Sequence, residues 1–319
     1  MGKYTSKMCV YLDQFAVSYF SENQKWSRLR DLLIYGVKCD KLFIPYSFEH
    51  LIESSQKDFE RAKIVDDFLF SVSDGIRLET ETVINARLLL FHVRKKPINK
   101  SIFTAKIEKS VFSNPMLFSD FRNLKQFYNQ MVSEGTLVTN ELRSAIRLNH
   151  NPDFSHLPLF VNRTSEVYKG ELVKRLSKFS KYGFYDKHDI RFSMITIPFW
   201  ADTLINMLIN EFGMTRSEAK KAAQILKQEG IKKIIPPLYV RASLESITAI
   251  KQKKELVNDH IDIVRLCSAI PFCDLIVTDK SKMHDIQMLG LHDDFKTEIF
   301  SGSNSGLLSF EKRIEQLIN

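Results

Sequence analysis

Strand-like and helix-like segments alternate at both ends of this chain, and that alternation restricts the folds open to it. Met8–Leu12 is a short β-prone run, and apolar residues then recur at helical spacing over residues 26–37. A second apolar run at residues 42–44 ends at Pro45, and Ser47 can cap the helix that follows. This order predicts the opening of an α/β domain with a parallel sheet.

The same alternation returns near the C-terminus. Residues 259–269 show helical spacing, and Pro271 ends that helix. Leu275–Thr278 (LIVT) predicts a buried strand, residues 298–300 predict an edge strand, and residues 307–318 predict a final amphipathic helix. Two distant stretches of sequence therefore predict parts of one sheet.

The pattern between these stretches is mainly helical. Thr215 followed by Glu218, for example, predicts a capping box at the start of a helix. The sequence therefore predicts an α/β fold formed by residues 1–75 and 257–319, interrupted by a large helical insertion at residues 76–256.

Charge indicates the class of partner. The formal net charge is +8, and the sequence pI is about 9.1. Lys and Arg gain affinity for polyanions by releasing counterions from phosphates, so the balance favours a nucleic acid, although it also serves solubility.

Cysteine usage and hydropathy indicate the compartment. The chain has four cysteines, namely Cys9, Cys39, Cys267 and Cys273. They are too few and too scattered for a disulfide framework, so we expect reduced, mostly buried thiols and no zinc site. No stretch reaches the ~20 apolar residues of a membrane-spanning helix, and polar residues 1–7 lack a secretory pattern. We expect a cytoplasmic protein with no membrane partner.

Acidic residues follow the strand-like runs directly. Asp13 ends the first run, and Asp279 ends LIVT. The carboxyl ends of parallel strands share one edge of a sheet, where open α/β sheets bind ligands. Glu53, with Glu49 one turn away as an alternative, lies in the helix after the second strand, and Asp262 lies in the helix before LIVT. We therefore expect carboxylates from both ends of the chain to converge.

Such a cluster predicts a bound cation. Like charges raise each other's pKa and repel, so converging carboxylates need neutralisation. Oxygen ligands suit Mg²⁺ or Mn²⁺. Two such ions about 3.5–4 Å apart can activate a water and stabilise the leaving oxygen in phosphodiester cleavage.

Two further acids compete for these metal-binding roles. Asp259 and Asp274 lie near the expected places, and either can replace or supplement Asp262 and Asp279. Structural roles are the alternative reading: Asp262 can pair with Arg265 one turn on, Asp274 can cap its strand, and Asp259 can favour its helix N-terminus.

Three pieces of sequence carry a resemblance to a known family. They are VYLDQ at residues 10–14, PYS at 45–47 with HLIE at 50–53, and DHIDIVRLCSAIPFCDLIVTDK at 259–280. Together they resemble PIN-like domain nucleases, over roughly residues 8–75 and 257–300. Matched residue by residue, the resemblance implies a PIN-like sheet with metal-binding and catalytic residues at Asp13, Glu53, Asp262 and Asp279.

The resemblance also implies an activity. Members of that family bind Mg²⁺ or Mn²⁺ and mostly cut single-stranded or structured RNA, often as toxins or antiviral defence effectors. We therefore expect a metal-dependent endoribonuclease, with RNA favoured over DNA. The alternative is a non-catalytic RNA- or partner-binding module on a degenerate PIN-like fold. Oligomeric state and a regulatory protein partner stay open.

A basic segment at residues 163–191 is the candidate nucleic-acid-binding region. Its leading cations are Lys174, Arg175, Lys178 and Lys181, and its interleaved aromatics are Phe179, Tyr182, Phe184 and Tyr185. Cations beside aromatic faces suit single-stranded nucleic acid, through phosphate contact and base stacking. The alternative is a solvated amphipathic helix whose aromatics belong to the core.

Overall fold

The chain forms two compact units. The structure is a computed structural model that describes residues 2–3, 6–22, 24–149, 153–183, 199–251 and 256–319. The first unit comprises Met1–Glu79, Asn99–Met131 and Ser268–Asn319, and the second comprises Thr80–Ile98 and Val132–Cys267. The predicted boundaries of the helical insertion therefore shift, because residues 99–131 group with the sheet and residues up to Cys267 group with the helices.

The first unit contains a parallel sheet. In chain order the strands are β1 (Met8–Leu12), β2 (Leu42–Phe43), β3 (Ile76–Leu78), β4 (Thr104–Lys106), β5 (Leu275–Thr278) and β6 (Glu298–Ser301). The order across the sheet is β2-β1-β5-β6, and every pair is parallel. β3 pairs antiparallel with β4, and an isolated bridge between Arg77 and Tyr46 links this pair to the segment that follows β2. The predicted α/β class and the predicted edge strand near residue 298 are confirmed.

Helices occupy most of the remaining described chain. They are α1 (Gln14–Glu22), α2 (Ser27–Lys38), α3 (Phe48–Ser54), α4 (Phe59–Ser73), α5 (Glu81–Arg94), α6 (Pro115–Asn149), α7 (Leu157–Tyr182), α8 (Phe199–Asn206), α9 (Arg216–Ile234), α10 (Pro236–Ile250), α11 (Val257–Ala269), α12 (Lys280–Met288), α13 (Leu291–Phe295) and α14 (Asn304–Ile318). Among the described residues, no helix has both the length and the apolar character needed to cross a membrane.

The core of the first unit is centred on β1 and β5. Val10, Leu12, Leu275 and Val277 are almost completely buried. Parallel strands that are covered on both faces carry continuous apolar runs rather than alternating ones, which is why MCVYL and LIVT are apolar throughout. Helices α1, α2, α4 and α14 pack together around this core.

Residues 99–131 belong to the first unit because their aromatic side chains enter its core. Phe112 is completely buried and makes edge-to-face contacts with Phe118 and Phe121. The buried carboxylate of Asp66 accepts hydrogen bonds from Ser110 Oγ at 2.7 Å and from the backbone N–H of Phe112 at 2.6 Å. Burial raises the pKa of Asp66, and these two donors oppose that rise.

The second unit is built from packed helices around buried charges. Arg241 Nη1 donates to Glu81 Oε2 at 2.8 Å, and Arg241 Nε donates to Glu245 Oε1 at 3.0 Å. Tyr168 donates its hydroxyl to Glu245 as well. Burial raises the pKa of Glu81 and of Tyr168, so desolvation is the largest influence on both groups.

The predicted capping box at the start of α9 is confirmed. The backbone N–H of Glu218 donates to Thr215 Oγ1 at 3.2 Å, and the N–H of Thr215 donates to Glu218 Oε2 at 2.8 Å. The side chain of Arg94 also binds Glu218, and this contact lowers the pKa of Glu218 to about 2. The chain leaves helical geometry at Gly230, where φ is 75°, before a further turn reaches Ile234.

Candidate active site

Asp13 lies at the carboxyl edge of the parallel sheet, directly after β1. Its backbone N–H donates to the carbonyl of Val277 at 2.9 Å, which continues the pairing of β1 with β5. Its Oδ2 accepts from the hydroxyl of Thr278 at 3.1 Å, and its Oδ1 accepts from the N–H of Gln14 at 2.7 Å. The carboxylate is therefore fixed in place, and Asp13 is only 6% exposed.

Asp279 lies at the same edge, directly after β5. Because Leu12 is opposite Val277, Asp13 is level with Thr278, and Asp279 is one residue further along the neighbouring strand. Neighbouring strands lie about 4.8 Å apart. The predicted placement of Asp13 and Asp279 at one edge of the sheet is confirmed. Asp279 also caps α12, since its Oδ1 accepts from the N–H of Lys282 at 2.9 Å.

Helix α3 is joined to this edge by two side chains. The N–H of Ser47 donates to Nδ1 of His50 at 2.8 Å, so the His50 proton is on Nε2, which donates to the carbonyl of Leu12 at 2.8 Å. Gln14 Nε2 donates to Ser54 Oγ at 2.8 Å. Helix α3 is thereby held against the end of β1, next to Asp13.

The acidic residues of α3 are Glu49 and Glu53, one turn apart. Glu53 directly precedes Ser54, the residue bonded to Gln14, and Glu53 is partly exposed. Glu49 is 8% exposed. Both carboxylates therefore stay candidates for the predicted role of Glu53.

Sequence reasoning missed three of the residues that build this edge. They are Gln14, His50 and Thr278, which position Asp13 and α3. His50 occupies the third helical position after Ser47, where a capping box usually has Glu or Gln, so its spacing was a usable signal. The Thr278 contact depends on strand register, which the sequence does not give.

The amide oxygen of Gln14 is a buried atom with no hydrogen-bond partner among the described residues. Buried polar atoms nearly always have a partner, which for this oxygen can be a water, a ligand or, with the amide turned over, the hydroxyl of Ser54. Carboxylate and amide oxygens are ligands that Mg²⁺ and Mn²⁺ accept. The donor chemistry at this edge fits such an ion, although no group of three His, Cys, Asp or Glu side chains gathers around one point in the described part of the chain.

Asp259 and Asp262 lie in the second unit, on α11. Asp262 pairs with the buried side chain of Arg265 one turn on. Asp259 accepts a hydrogen bond from the N–H of Leu256 at 3.2 Å, at the start of the helix. Both acids thus make the local contacts that their alternative reading predicted, and their convergence with Asp13 stays a prediction.

Asp274 lies at the opposite edge of the sheet, and this corrects its predicted place beside Asp279. It precedes β5, whereas Asp279 follows that strand. Its Oδ1 accepts from the N–H of Lys3 at 2.9 Å, and its Oδ2 accepts from the N–H of Cys9 at 2.7 Å. Asp274 therefore binds backbone groups at the amino end of the sheet. It precedes Asp279 by five residues, and an extended strand rises ~3.3 Å per residue, so the two acids are about 16 Å apart.

The structure contradicts the predicted role of one residue in the basic segment, Arg175. Arg175 is buried inside the second unit, where its Nε donates to Asp202 Oδ1 at 2.7 Å and its Nη1 pairs with Glu171. An arginine enclosed by two carboxylates is a structural ion pair. The prediction that Arg175 contacts nucleic acid is therefore wrong.

The other basic candidates lie nearer the surface of α7. Lys174 and Lys181 are exposed, and Lys178 is partly buried. Lys181 Nζ lies 4.9 Å from the centroid of the exposed Tyr182 ring. Phe179 is a core residue, as the alternative reading expected. The remaining aromatics of the predicted segment, Phe184 and Tyr185, lie outside the described residues.

Comparisons of this chain with protein-family models, with curated proteins and with solved structures found no match. The likeness to PIN-like nucleases therefore stays a resemblance of motifs.

Proposed function

We propose that this protein is a cytoplasmic, metal-dependent endoribonuclease that hydrolyses phosphodiester bonds of RNA on a PIN-like fold. The observation that supports it is the placement of Asp13 and Asp279 after neighbouring parallel strands, at the edge where α/β sheets bind ligands. Helix α3, which carries Glu49 and Glu53, is bonded to the same edge through Gln14 and His50. A toxin or antiviral defence role follows from the family resemblance.

Within the first unit, the ligands for Mg²⁺ or Mn²⁺ would be Asp13, Glu53 and Asp279, with Glu49 as the alternative to Glu53. The family resemblance alone assigns a further ligand to Asp262 or Asp259. When bound, the ion supplies Lewis acidity that activates water and stabilises negative charge on the leaving oxygen. The chain's own residues orient the ligands: Thr278 and Gln14 fix the Asp13 carboxylate, and His50 fixes the start of α3.

The proposed chemistry determines the ends of the product. Attack of water on the phosphorus forms one P–O bond, and the bond to the 3′ oxygen breaks. The products then carry a 5′-phosphate and a 3′-hydroxyl. A metal-free attack by the 2′-hydroxyl would instead leave a 2′,3′-cyclic phosphate.

RNA is the proposed partner, and Lys174, Lys178 and Lys181 on α7 are the proposed contacts. Their ammonium groups can bind phosphates, and the ring of Tyr182 beside Lys181 can stack on a base.

The second candidate function is a non-catalytic RNA- or partner-binding module. The contacts of α11 favour it, because Asp262 pairs with Arg265 and Asp259 binds the start of its own helix. In such a module the acids serve the fold, and RNA binding does not depend on a metal ion.

Incubation with total RNA, with and without Mn²⁺, followed by sequencing of the cut ends, separates the two functions. The enzyme gives Mn²⁺-dependent cuts with 5′-phosphate ends, and Asp13→Asn or Asp279→Asn abolishes them while circular dichroism stays unchanged. Asp31→Asn, an exposed acid on α2, is the matched control and keeps full activity. Full activity of Asp13→Asn and Asp279→Asn, or of the wild type in excess chelator, rules out the metal-dependent mechanism at these acids, whereas RNA binding without any cleavage identifies the non-catalytic module.

A further inference from the structure

Two thiols meet at the amino edge of the parallel sheet. Cys9 lies in β1 and Cys273 lies two residues before β5, and their Sγ atoms are 3.3 Å apart. Both are buried, with exposures of 3% and 0%. The backbone N–H of Asp274 donates to the carbonyl of Cys9 at 2.8 Å, so the two chain segments are already paired where the sulfurs meet.

We propose that Cys9 and Cys273 are a modification site that forms a reversible disulfide when the protein meets a peroxide. A disulfide needs an S–S distance of about 2.05 Å and Cα atoms about 4.4–6.8 Å apart. The pairing of Val10 with Leu275 puts Cys9 level with Asp274 and one residue from Cys273. A strand spacing of about 4.8 Å and a rise of ~3.3 Å per residue then give a Cα separation of about 6 Å. The sulfurs must close by about 1.3 Å, which small side-chain rotations supply without moving the strands.

The chemistry balances with hydrogen peroxide as the oxidant. One thiol gives up its proton and attacks the peroxide as a thiolate. Its sulfur becomes a sulfenic acid, the O–O bond breaks, and the displaced hydroxide takes up the proton and leaves as water. The second thiol then attacks the sulfenic sulfur, the S–S bond forms, and the hydroxyl group leaves as a second water. The two sulfurs lose two electrons in total, and the peroxide is reduced to two waters. A dithiol reductant reverses the step by thiol–disulfide exchange.

The bridge would connect distant parts of the chain. Cys9 and Cys273 are 264 positions apart, and they join the two central strands whose other ends carry Asp13 and Asp279. A cross-link over so long a loop stabilises the fold mainly by restricting the unfolded chain. The oxidised first unit should therefore unfold at a higher denaturant concentration than the reduced one. This inference does not depend on the proposed nuclease activity.

The other two cysteines must be removed for a clean test. Cys39 is exposed and can link two molecules. Trypsin places Cys267 and Cys273 in one peptide, residues 266–280, while Cys9 lies in residues 8–25. A Cys39→Ser/Cys267→Ser variant therefore leaves Cys9 and Cys273 as its two thiols, and adding Cys9→Ser or Cys273→Ser gives the matched controls.

The folded variant is incubated with hydrogen peroxide, alkylated, and analysed by mass spectrometry without reduction. We expect a peptide pair joining residues 8–25 to 266–280, loss of both free thiols, their return with dithiothreitol, and a raised urea midpoint only in the bridged form. The single-cysteine controls should form no intramolecular bridge. Two titratable thiols after oxidation, a bridge that forms only after unfolding, or sulfinic acid in place of the bridge would each overturn the proposal.

Discussion

The hydroxyl of Thr278 is the side-chain contact that bears most directly on the proposed function. It donates to Oδ2 of Asp13 from the neighbouring strand, while the opposite oxygen accepts from Gln14. Partners that orient a metal ligand contribute substantially to metal affinity and activity. If Asp13 is a ligand, removing this donor should therefore affect the reaction without removing any ligand.

Thr278→Val should lower Mn²⁺-dependent cleavage by about 10–100-fold, as is typical when an outer partner of a metal ligand is lost. The measurement is the cleavage rate at increasing Mn²⁺ concentration. Thr104→Val is the matched control, because it removes a threonine hydroxyl bond of 2.8 Å on β4. Equal rates for Thr278→Val and the control would show that the Thr278 hydroxyl does not orient a residue of the reaction.

His50 supports the fold around the candidate site, because its imidazole connects the start of α3 to the end of β1. His50→Ala leaves the N–H of Ser47 and the carbonyl of Leu12 without their side-chain partner. Each unsatisfied buried group costs about 1–3 kcal/mol, so the loss of both partners should lower the free energy of unfolding by about 2–6 kcal/mol. Urea unfolding followed by hydrogen exchange in β1 and α3 measures it, with His292→Ala at a more exposed position as control. Similar values for both variants would contradict the bridging role of His50.

At the scale of elements, β1 and β5 could be predicted because strands buried on both faces have continuous apolar runs. β3 and β4 were missed because three residues are too few to show a period of two. Arg175 was assigned to the surface on charge alone, although it lies seven residues after Tyr168 and four before Phe179, on the buried face of α7.

The chemical details of the edge depend on information that one sequence lacks. Register decides that Thr278, rather than another strand residue, meets Asp13. Strand direction decides which end of β5 faces the ligand edge, and this separates Asp279 from Asp274. Local patterns fix neither choice for residues that are hundreds of positions apart.

The buried ion pair of Arg241 with Glu81 connects α10 to α5. Burial raises the pKa of Glu81 above its ordinary 4.5 in the folded protein. The folded state then binds the proton more tightly than the unfolded state, so this group's contribution to stability falls as pH rises above about 4.5. The difference in unfolding free energy between wild type and Glu81→Gln should therefore change with pH in that direction. A difference that is constant with pH would show that Glu81 has no shifted titration.

Removing the arginine of that pair should lower the free energy of unfolding by more than removing the charge of Glu81. Arg241→Met leaves the Glu81 and Glu245 carboxylates without their buried cation, and such a loss is typically about 3–5 kcal/mol. Adding Glu81→Gln should recover part of it. Urea titration of the single and double variants measures the coupling.

At the scale of the whole molecule, the excess of eight positive charges predicts salt-sensitive binding to RNA. Lys174→Ala/Lys181→Ala should weaken binding and reduce the salt slope by about 1.4, since each phosphate contact on a single strand contributes about 0.7. Binding is measured in chelator, so that no RNA is cut. Lys63→Ala/Lys233→Ala is the charge-matched control, because both lysines already pair with acids. Equal salt slopes for the two double variants would show that Lys174 and Lys181 on α7 do not contact RNA.

Calorimetric titration of Mn²⁺ into the RNA-free protein tests the metal site most directly. We predict saturable binding to the wild type that is lost in both Asp13→Asn and Asp279→Asn and preserved in Asp31→Asn. Binding of equal strength in all four proteins, or none in the wild type, would contradict a metal site at the carboxyl edge of β1 and β5.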